Sequence, residues 1–386
     1  MGNIPTSQEL SEASDQQPSA KAAGPKIDKY FRAMCKHAAS DLHFKAGKAP
    51  KLRVKGSLRS IEGKELNNEE IEAMVFEIMT DHHRHRYEEV GSIDLAYQLG
   101  DMDRFRINVF RQRGLTSMAA RRIPKEILDY KGLHLPESLG KLAMLHQGMV
   151  MLAGITGSGK STTIAAMIEH INRERACHIV TIEDPIEFLF EDKQAFVNQR
   201  EIGLDVPDFG LALKYLMRED PDVILVGEMR DQETFGAALA AAETGHLVFC
   251  TIHASNAAST ITRILELFPE DARPLIRTSL VFNLQAIVCL KLLPGLQPDV
   301  PRLPCCEIMI CNSSIRKLIE EERDKDIPGV IRASYHDGMI DFTESLRRLV
   351  DQELISVKTA YAVAPNPDEL KMRLKGISVS SGGIIG

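Results

Sequence analysis

Two patterns of apolar and polar positions follow one another along the chain. Between residues 26 and 125, stretches of helical period are mixed with alternating stretches, which is typical of an α+β domain. From about Leu135 onward, short and fully apolar runs alternate with helical stretches, as in a mostly parallel sheet covered by helices. The sequence therefore predicts an α/β protein with a smaller α+β domain on its N-terminal side.

The first region opens with elements that local signals define well. Residues 27–38 have helical period, and two short runs flank Lys55-Gly56-Ser57, which predicts a hairpin. Asn67 precedes acidic residues and an apolar-periodic stretch, which marks the start of a helix. We therefore expect a helix, a hairpin and a second helix in this order.

A strand with arginines on one face is predicted at residues 104–109. Apolar residues alternate with Arg104, Arg106 and Asn108 along this run. Successive side chains of a strand point to opposite faces, so one face of this strand is expected to be buried. The other face then presents two arginines.

The second region contains four apolar runs with helix candidates between them. The runs lie at residues 149–153, 178–182, 223–226 and 247–252. The last part of the chain, from about Ile308 onward, is predicted to be helical at residues 313–322, 342–352 and 357–362. These helices are expected to form an extension after the sheet.

Both ends of the chain differ in composition from the regions between them. Residues 1–25 are rich in Ser, Gln, Ala, Glu and Pro with almost no large apolar residue, so burial would not offset the entropy lost on ordering. The predicted organisation is a disordered tail at 1–25, an N-terminal domain at 26–125, a linker at 126–135, the sheet domain with its C-terminal helices at 136–375 and a flexible tail at 376–386.

Charge and composition narrow the class of protein. A net charge of −7 counts against binding nucleic acid without sequence preference. No apolar run approaches the roughly 20 residues that span a bilayer, and the N-terminus lacks the apolar segment of a secretory signal. The seven cysteines form no CxxC pair, so neither a zinc ribbon nor a disulfide framework is predicted. We expect a cytoplasmic protein that contacts a membrane only through partners.

A glycine-rich loop joins the first apolar run to a helical stretch. Residues 154–161 read Gly-x-x-x-x-Gly-Lys-Ser between a strand and a helix, as the phosphate-binding motif requires. The glycines let successive N–H groups point at one anion, and the helix N-terminus adds positive charge. The predicted nucleotide-binding residues are Gly154, Ile155, Thr156, Gly157, Ser158, Gly159, Lys160, Ser161 and Thr162. We predict a site for Mg-ATP in which Lys160 contacts the β- and γ-phosphates and Ser161 ligates Mg²⁺.

Three further apolar runs end in side chains that can complete an ATPase site. Carboxyl ends of parallel strands meet at one edge of a sheet, where ligands bind. Glu228, at the end of residues 222–228, is predicted to activate the attacking water. Glu183 follows the run at 178–182 and is predicted as a second carboxylate near the metal ion or the water. His253, at the end of the run at 247–252, is predicted to sense the γ-phosphate.

Four ordered blocks resemble the Walker A, Asp box, Walker B and His box of the type II secretion and type IV pilus ATPases. The blocks are residues 154–162, 181–188, 220–231 and 244–253, and the resemblance covers about residues 27–375. It implies a PAS-like N-terminal α+β domain and a RecA-like P-loop ATPase domain with a helical C-terminal extension. It also implies that six subunits form a ring.

Within this family the chain is most similar to the pilus retraction (PilT-like) ATPases. Residues 39–50, 104–113 and 366–370 match that branch. Residues 314–321 resemble its Ala-Ile-Arg-Asn-Leu-Ile-Arg-Glu helix, with departures at Ser314, Lys317 and Glu320. Assembly and secretion ATPases usually carry paired CxxC zinc sites, and the absence of CxxC from this sequence favours the retraction branch.

The resemblance also implies roles for distant residues and for partners. In this family, arginines of the N-terminal domain reach the nucleotide phosphates, and Arg106 and Arg121 match that pair best by position. Such an arginine contributes roughly 10³–10⁵ in rate. The implied partners are other copies of the chain, in a hexamer, and a pilus platform protein of the inner membrane. The implied function is an ATP-driven motor for pilus retraction and twitching motility, with no direct nucleic-acid partner.

Three alternatives to this function stay open. Within the family, the chain could be a pilus-assembly or type II secretion ATPase. Outside it, a nucleic-acid translocase is conceivable because RecA-like motors also move DNA, although the acidic charge counts against this. A nucleotide-binding module without hydrolysis is the third, and the complete set of Lys160, Glu183 and Glu228 counts against it.

Overall fold

The computed structural model describes residues 24–376, apart from residues 55, 62 and 298. The tails predicted at 1–25 and 376–386 therefore lie almost entirely outside the described residues. The chain divides into two compact units, the first ending at Arg122 and the second beginning at Ile123.

The first unit is an α+β fold built on a six-stranded sheet. Its strands are β1 (Asp41–Lys45), β2 (Lys51–Val54), β3 (Ser57–Ser60), β4 (Ser92–Gln98), β5 (Arg104–Gln112) and β6 (Leu115–Ile123), in the order β3-β2-β1-β6-β5-β4. Its helices are α1 (Asp28–Lys36), α2 (Asn68–Phe76) and α3 (Asp81–Val90). The helix, hairpin and helix predicted from residues 27–76 are all present.

Local sequence signals explain these elements. Asn67 caps α2 by accepting from the Glu70 N–H at 2.8 Å, and the Glu70 carboxylate accepts from the Asn67 N–H in return. Along β5 the apolar residues are buried and Arg104, Arg106 and Asn108 are only partly covered, as the alternation predicts. Phe105 of this strand stacks on Phe31 of α1 with ring centroids 4.2 Å apart, which ties the helix to the sheet.

The second unit is an α/β fold built on a seven-stranded sheet. Its strands are β7 (Gly148–Ala153), β8 (His178–Glu183), β9 (Phe196–Glu201), β10 (Val223–Val226), β11 (Leu247–Ile252), β12 (Leu284–Pro294) and β13 (Arg302–Ile310), in the order β13-β12-β7-β11-β10-β8-β9. All neighbours pair in parallel except β12 and β13, which are antiparallel. The carboxyl ends of β7, β8, β10 and β11 therefore share one edge.

Helices cover both faces of this sheet. They are α4 (Ser138–Ala143), α5 (Lys160–Glu174), α6 (Phe209–Leu216), α7 (Gln232–Glu243), α8 (Ala257–Glu266), α9 (Arg273–Asn283), α10 (Ser313–Glu320), α11 (Ile327–Ala333), α12 (Phe342–Asp351), α13 (Val357–Val363) and α14 (Pro367–Leu374). Short 3-10 helices lie at Asp324–Asp326 and Tyr335–Asp337. The helices predicted at 313–322, 342–352 and 357–362 correspond to α10, α12 and α13.

The continuous apolar runs follow from burial on both faces. Every residue of β7 is buried, and its side chains alternate between two cores. Met149, Met151 and Ala153 pack with α6 to α8, whereas Val150 and Leu152 pack with α4 and α5. A strand covered on both sides has no polar face, which is why it does not alternate in sequence.

Two parts of the second unit differ from the sequence prediction. The antiparallel pair β12–β13 was not predicted, and β13 continues to Ile310, beyond the start of the predicted helical region. The apolar run of β12 follows α9 with no intervening turn residues, so periodicity alone does not separate the two elements. In the segment predicted as a linker, Leu135 is buried and packs into the core beside α4.

Candidate nucleotide site

The loop after β7 comprises residues 154–159. Its first residue has a backbone conformation that only glycine adopts readily. Gly154 has φ +150°, and a Cβ there would lie 2.7 Å from the Leu290 carbonyl oxygen and closer still to the Ser158 hydroxyl. Gly159, the last residue of this phosphate loop, is left-handed at φ +98° and precedes the first turn of α5. The loop therefore leads the chain directly into a helix N-terminus, where free N–H groups favour anions.

Gly154→Ala is expected to reduce nucleotide affinity at least about ten-fold, because the added methyl group must displace the loop or the neighbouring strand β12. Titration with a fluorescent ADP analogue would measure this. Gly236→Ala, at a helical position where a Cβ meets nothing within 4 Å, is the matched control and should bind normally. Normal affinity in the Gly154 variant would contradict the argument from loop geometry.

Lys160 is the first residue of α5, and its ammonium group turns back over the phosphate loop. It donates to the carbonyl oxygens of Gly154 at 2.7 Å and Ile155 at 3.1 Å. Burial lowers the pKa of Lys160, and the negative charges of Glu228 and Glu187 partly oppose this. The loop thus holds a partly desolvated cation between its own carbonyl groups and two carboxylates.

The middle of the phosphate loop is open to solvent, whereas its base is buried. Ile155 is 75% exposed, and Thr156, Gly157 and Ser161 are exposed as well. Ser158 is buried, and its hydroxyl has no hydrogen-bond partner within the described part of the chain. The exposed stretch leaves room for a phosphate group above the loop.

Glu228 follows β10 and is held by two basic side chains. Its Oε1 lies 2.7 Å from Nε2 of His253, and its Oε2 accepts from Arg230 at 2.6 Å. Partial burial alone would raise the pKa of Glu228, but the hydrogen bond and charge of Arg230 and the neighbouring His253 lower it overall. The carboxylate is therefore kept ionised, as a base or a water-orienting group requires.

His253 connects this carboxylate to the phosphate loop. Its Nδ1 lies 3.1 Å from the Gly154 carbonyl oxygen, so this nitrogen donates to the carbonyl. The imidazole ring, at the end of β11, therefore contacts the residues that follow both neighbouring strands, β7 and β10.

Glu183 ends β8, the strand next to β10. Its Oε1 accepts from the Thr181 hydroxyl at 2.7 Å and from the Gln199 amide at 3.2 Å. Burial raises its pKa to about 7, although both hydrogen bonds act in the opposite direction. This carboxyl group is poised to gain or lose a proton near neutral pH.

The strand order places these residues along one edge of the sheet. The phosphate loop, His253, Glu228 and Glu183 follow β7, β11, β10 and β8, which are consecutive neighbours. Hydrogen bonds and one ion pair link Lys160, Gly154, His253 and Glu228 into one group. The chemical roles predicted for these residues stay predictions.

The two predicted arginines lie in the first unit. Arg106 is on β5 and is partly covered. Arg121 is on β6, opposite Asp41 of β1, and its Nε donates to that carboxylate at 3.0 Å. The Arg121 side chain is 73% exposed despite this ion pair. Their contact with nucleotide phosphates also stays a prediction.

Sequence reasoning missed three residues of this group. Arg230 stands only two positions after Glu228, so its ability to reach that carboxylate could have been inferred. Thr181 likewise precedes Glu183 by two positions on the same strand face. Gln199 gave no local signal, because its place beside Glu183 depends on the pairing of β8 with β9.

Comparison with known proteins defines the family. The profile of the family described as "Type II/IV secretion system protein" matches residues 15–337. This chain belongs to that family. It is a P-loop ATPase, and the fold class predicted from the sequence is confirmed.

Two relatives of this secretion-family ATPase are named for pilus retraction or twitching motility. The type IV pilus retraction ATPase PilT of Pseudomonas aeruginosa is 40% identical over 333 residues, which are 86% of this chain and 96% of that protein. A twitching motility protein of Neisseria gonorrhoeae is 41% identical over 83% of this chain and 86% of its own length. The predicted relationship to pilus retraction ATPases is thus confirmed.

Solved structures agree with this relationship. A crystal structure of the pilus retraction motor PilT with bound ADP superimposes with a TM-score of 0.83 at 40% identity, covering 90% of this chain and 99% of that one. The ATPase DotB of Legionella pneumophila superimposes with a TM-score of 0.74 at 26% identity, covering 90% and 97%. Among the described residues, no helix of this ATPase has both the length and the apolar character needed to cross a bilayer.

Proposed function

We propose that this ATPase is the motor that retracts a type IV pilus, acting as a homo-oligomeric ring, a hexamer by family likeness. The observation that carries the proposal is the 40% identity with a pilus retraction ATPase over nearly the full length of that protein. A site with a phosphate loop, a lysine and two strand-end carboxylates supports it chemically. The ring would act at the cytoplasmic side of the inner membrane, through a pilus platform protein there.

The phosphate loop and the start of α5 bind the phosphates of ATP in this proposal. Backbone N–H groups of residues 154–162 surround the β-phosphate. Lys160 gives up its hydrogen bonds to the carbonyl oxygens of Gly154 and Ile155 and contacts the β- and γ-phosphates instead. The small cost of breaking two hydrogen bonds to neutral carbonyl groups is offset by contacts with charged oxygens. Nucleotide binding thereby releases the lysine from its loop.

The donors beside the phosphate loop suit Mg²⁺. The exposed hydroxyl of Ser161 and the carboxylates at the ends of β8 and β10 are hard oxygen ligands, which this ion prefers over nitrogen or sulfur. Ser161 would hold the ion together with phosphate oxygens. When bound, Mg²⁺ neutralises charge that develops on the transferred phosphoryl group.

Two carboxylates and a histidine serve the attacking water. Glu228 orients the water and accepts its proton, and the low pKa that Arg230 and His253 give it keeps it ionised for this task. Glu183 holds the water from the neighbouring strand end. His253 reports the state of the phosphate loop to Glu228 through its contact with Gly154.

Arg106 and Arg121 supply positive charge from the first unit. In the proposed cycle they contact the nucleotide phosphates and stabilise the charge that develops on the transferred phosphoryl group. Arg121 would leave Asp41, to which it is bonded, when it does so. The Arg121 side chain is largely exposed, so water can replace the carboxylate as its partner.

Deletion of the gene, followed by pilus counts and imaging of surface motility, tests the proposal. We expect cells that keep their pili, often in excess, but no longer retract them or move by twitching. Re-expression of the wild-type chain should restore motility, whereas a Glu228→Gln chain should not. Bald cells would instead identify an assembly ATPase, and unchanged pili with altered DNA uptake or transfer would point to a translocase.

A further inference from the structure

Strand β9 forms one edge of the sheet in the second unit and lies beside Glu183. It pairs in parallel with β8, with Gln199 opposite Thr181 and Glu201 opposite Glu183. Residues 184–190, here called the acidic loop, follow β8 and contain neither helix nor strand. The side chains of β9 are thus placed to contact both Glu183 and the loop that continues from it.

The amide group of Gln199 makes three hydrogen bonds at this position. Its Nε2 donates to Glu183 Oε1 at 3.2 Å and to the Phe188 carbonyl oxygen at 2.8 Å. Its Oε1 accepts from the Phe190 N–H at 2.9 Å. Because the Phe190 N–H can only donate and the Phe188 carbonyl can only accept, the orientation of the amide is fixed. The NH₂ group therefore faces Glu183.

Thr181 and Glu187 are further neighbours of the Glu183 carboxylate. The Thr181 hydroxyl bonds the same carboxylate oxygen at 2.7 Å, but it lies on the same strand and cannot tie Glu183 to the acidic loop. The Glu187 backbone N–H also donates to Glu183, while the Glu187 carboxylate repels it. Gln199 is the side chain that links Glu183 to the backbone of the loop at two points.

We propose that Gln199 is a positioning residue for ATP hydrolysis, which holds the Glu183 carboxylate and the acidic loop in one fixed geometry. The proposal rests on the role proposed above for Glu183 in holding the attacking water. A carboxylate displaced by about 1 Å can lose about a hundred-fold in rate, so a residue that fixes it should affect turnover more than binding.

The acidic loop has a second anchor, so loss of Gln199 should leave the loop folded. The Ile186 N–H donates to Glu201 Oε2 at 3.2 Å, and the Ile202 N–H donates to the Glu183 carbonyl oxygen at 2.9 Å. Neither bond involves Gln199. An effect of substituting Gln199 on ATP turnover can therefore be attributed to a change in geometry around Glu183.

A double-mutant cycle tests the proposal with purified full-length protein: wild type, Gln199→Leu, Glu183→Gln and the double variant. We expect Gln199→Leu to lower kcat about ten-fold with KM for ATP changed less than about two-fold. In the Glu183→Gln background, Gln199→Leu should lower kcat less than about two-fold further, because the residue acts through Glu183. Asn198→Leu, on the same strand but bonded to His178, is the control and should keep full kcat.

The outcomes separate this proposal from the proposed function. Full kcat in Glu183→Gln would remove the role of Glu183 and this proposal with it. A slow Glu183→Gln protein combined with a normal Gln199→Leu protein, or additive losses in the double variant, would overturn only the role of Gln199. If Gln199→Leu does not fold, Gln199→Met replaces it: this variant keeps the length of the side chain but cannot donate a hydrogen bond to Glu183. It should also lose about ten-fold in kcat, and full kcat would overturn the proposal.

Discussion

Lys160→Ala will abolish measurable ATP turnover, with a loss of at least about a hundred-fold in kcat, and will leave the protein folded. The ammonium group is the only part of this side chain that can meet the phosphates, and the first two turns of α5 contain no second lysine or arginine that could replace it. Loss of one preorganised charge of this kind typically costs about 10²–10³ in rate. Its present partners are two loop carbonyl groups, which water can satisfy after the substitution.

Phosphate release from purified protein over a range of ATP concentrations measures this effect. Thermal unfolding without nucleotide should give a midpoint close to that of the wild type, because the Lys160 ammonium group bonds two loop carbonyl oxygens that water can satisfy in its place. Lys141→Ala, at an exposed position of α4, is the matched control and should turn over ATP normally. A Lys160→Ala protein with full turnover would exclude the phosphate loop as the catalytic site.

Glu228→Gln will stop hydrolysis while preserving ATP binding. The amide has nearly the shape of the carboxylate and can still accept a hydrogen bond, but it cannot take a proton from water. We expect kcat to fall about a hundred-fold or more, and the affinity for ATP to stay within about three-fold of wild type. Arg230 and His253 lose an ionised partner, so part of the loss reflects their rearrangement.

Separate binding and turnover measurements are needed for this variant. Equilibrium titration with labelled ATP gives the affinity, and single-turnover mixing gives the rate of the chemical step. Glu270→Gln, at an exposed glutamate before α9, serves as the control for removal of one negative charge. If Glu228→Gln bound ATP much more weakly yet hydrolysed it at a normal maximal rate, Glu228 would be a binding group and the water-activating residue would have to be sought elsewhere.

Features defined by adjacent residues could be predicted from the sequence. The phosphate loop is one continuous motif between a strand and a helix, so Lys160 and Ser161 were identified without knowing the fold. Glu183, Glu228 and His253 were found because each ends an apolar run, and the parallel sheet gathers such ends at one edge. The placement of these residues at one edge thus followed from local order and one general rule about parallel sheets.

Features defined by the order of strands could not be predicted. Gln199 comes to Glu183 only because β9 pairs with β8 at the sheet edge, and 16 positions separate the two residues. Strand β12 was hidden because its apolar residues follow α9 with no turn between them. By contrast, the contacts of Arg230 and Thr181 could have been inferred, because each residue lies two positions from its partner along the chain.

The burial of strand β7 limits which parts of this motor can move. The phosphate loop is attached to a strand whose side chains alternate between two helical cores, with β11 and β12 bonded on either side. Shifting that strand would disturb both cores and two ladders of hydrogen bonds at once, which close packing resists. The base of the loop therefore acts as a fixed support, and the movement that follows hydrolysis must be carried by the carboxyl-edge loops and by elements outside the central strands.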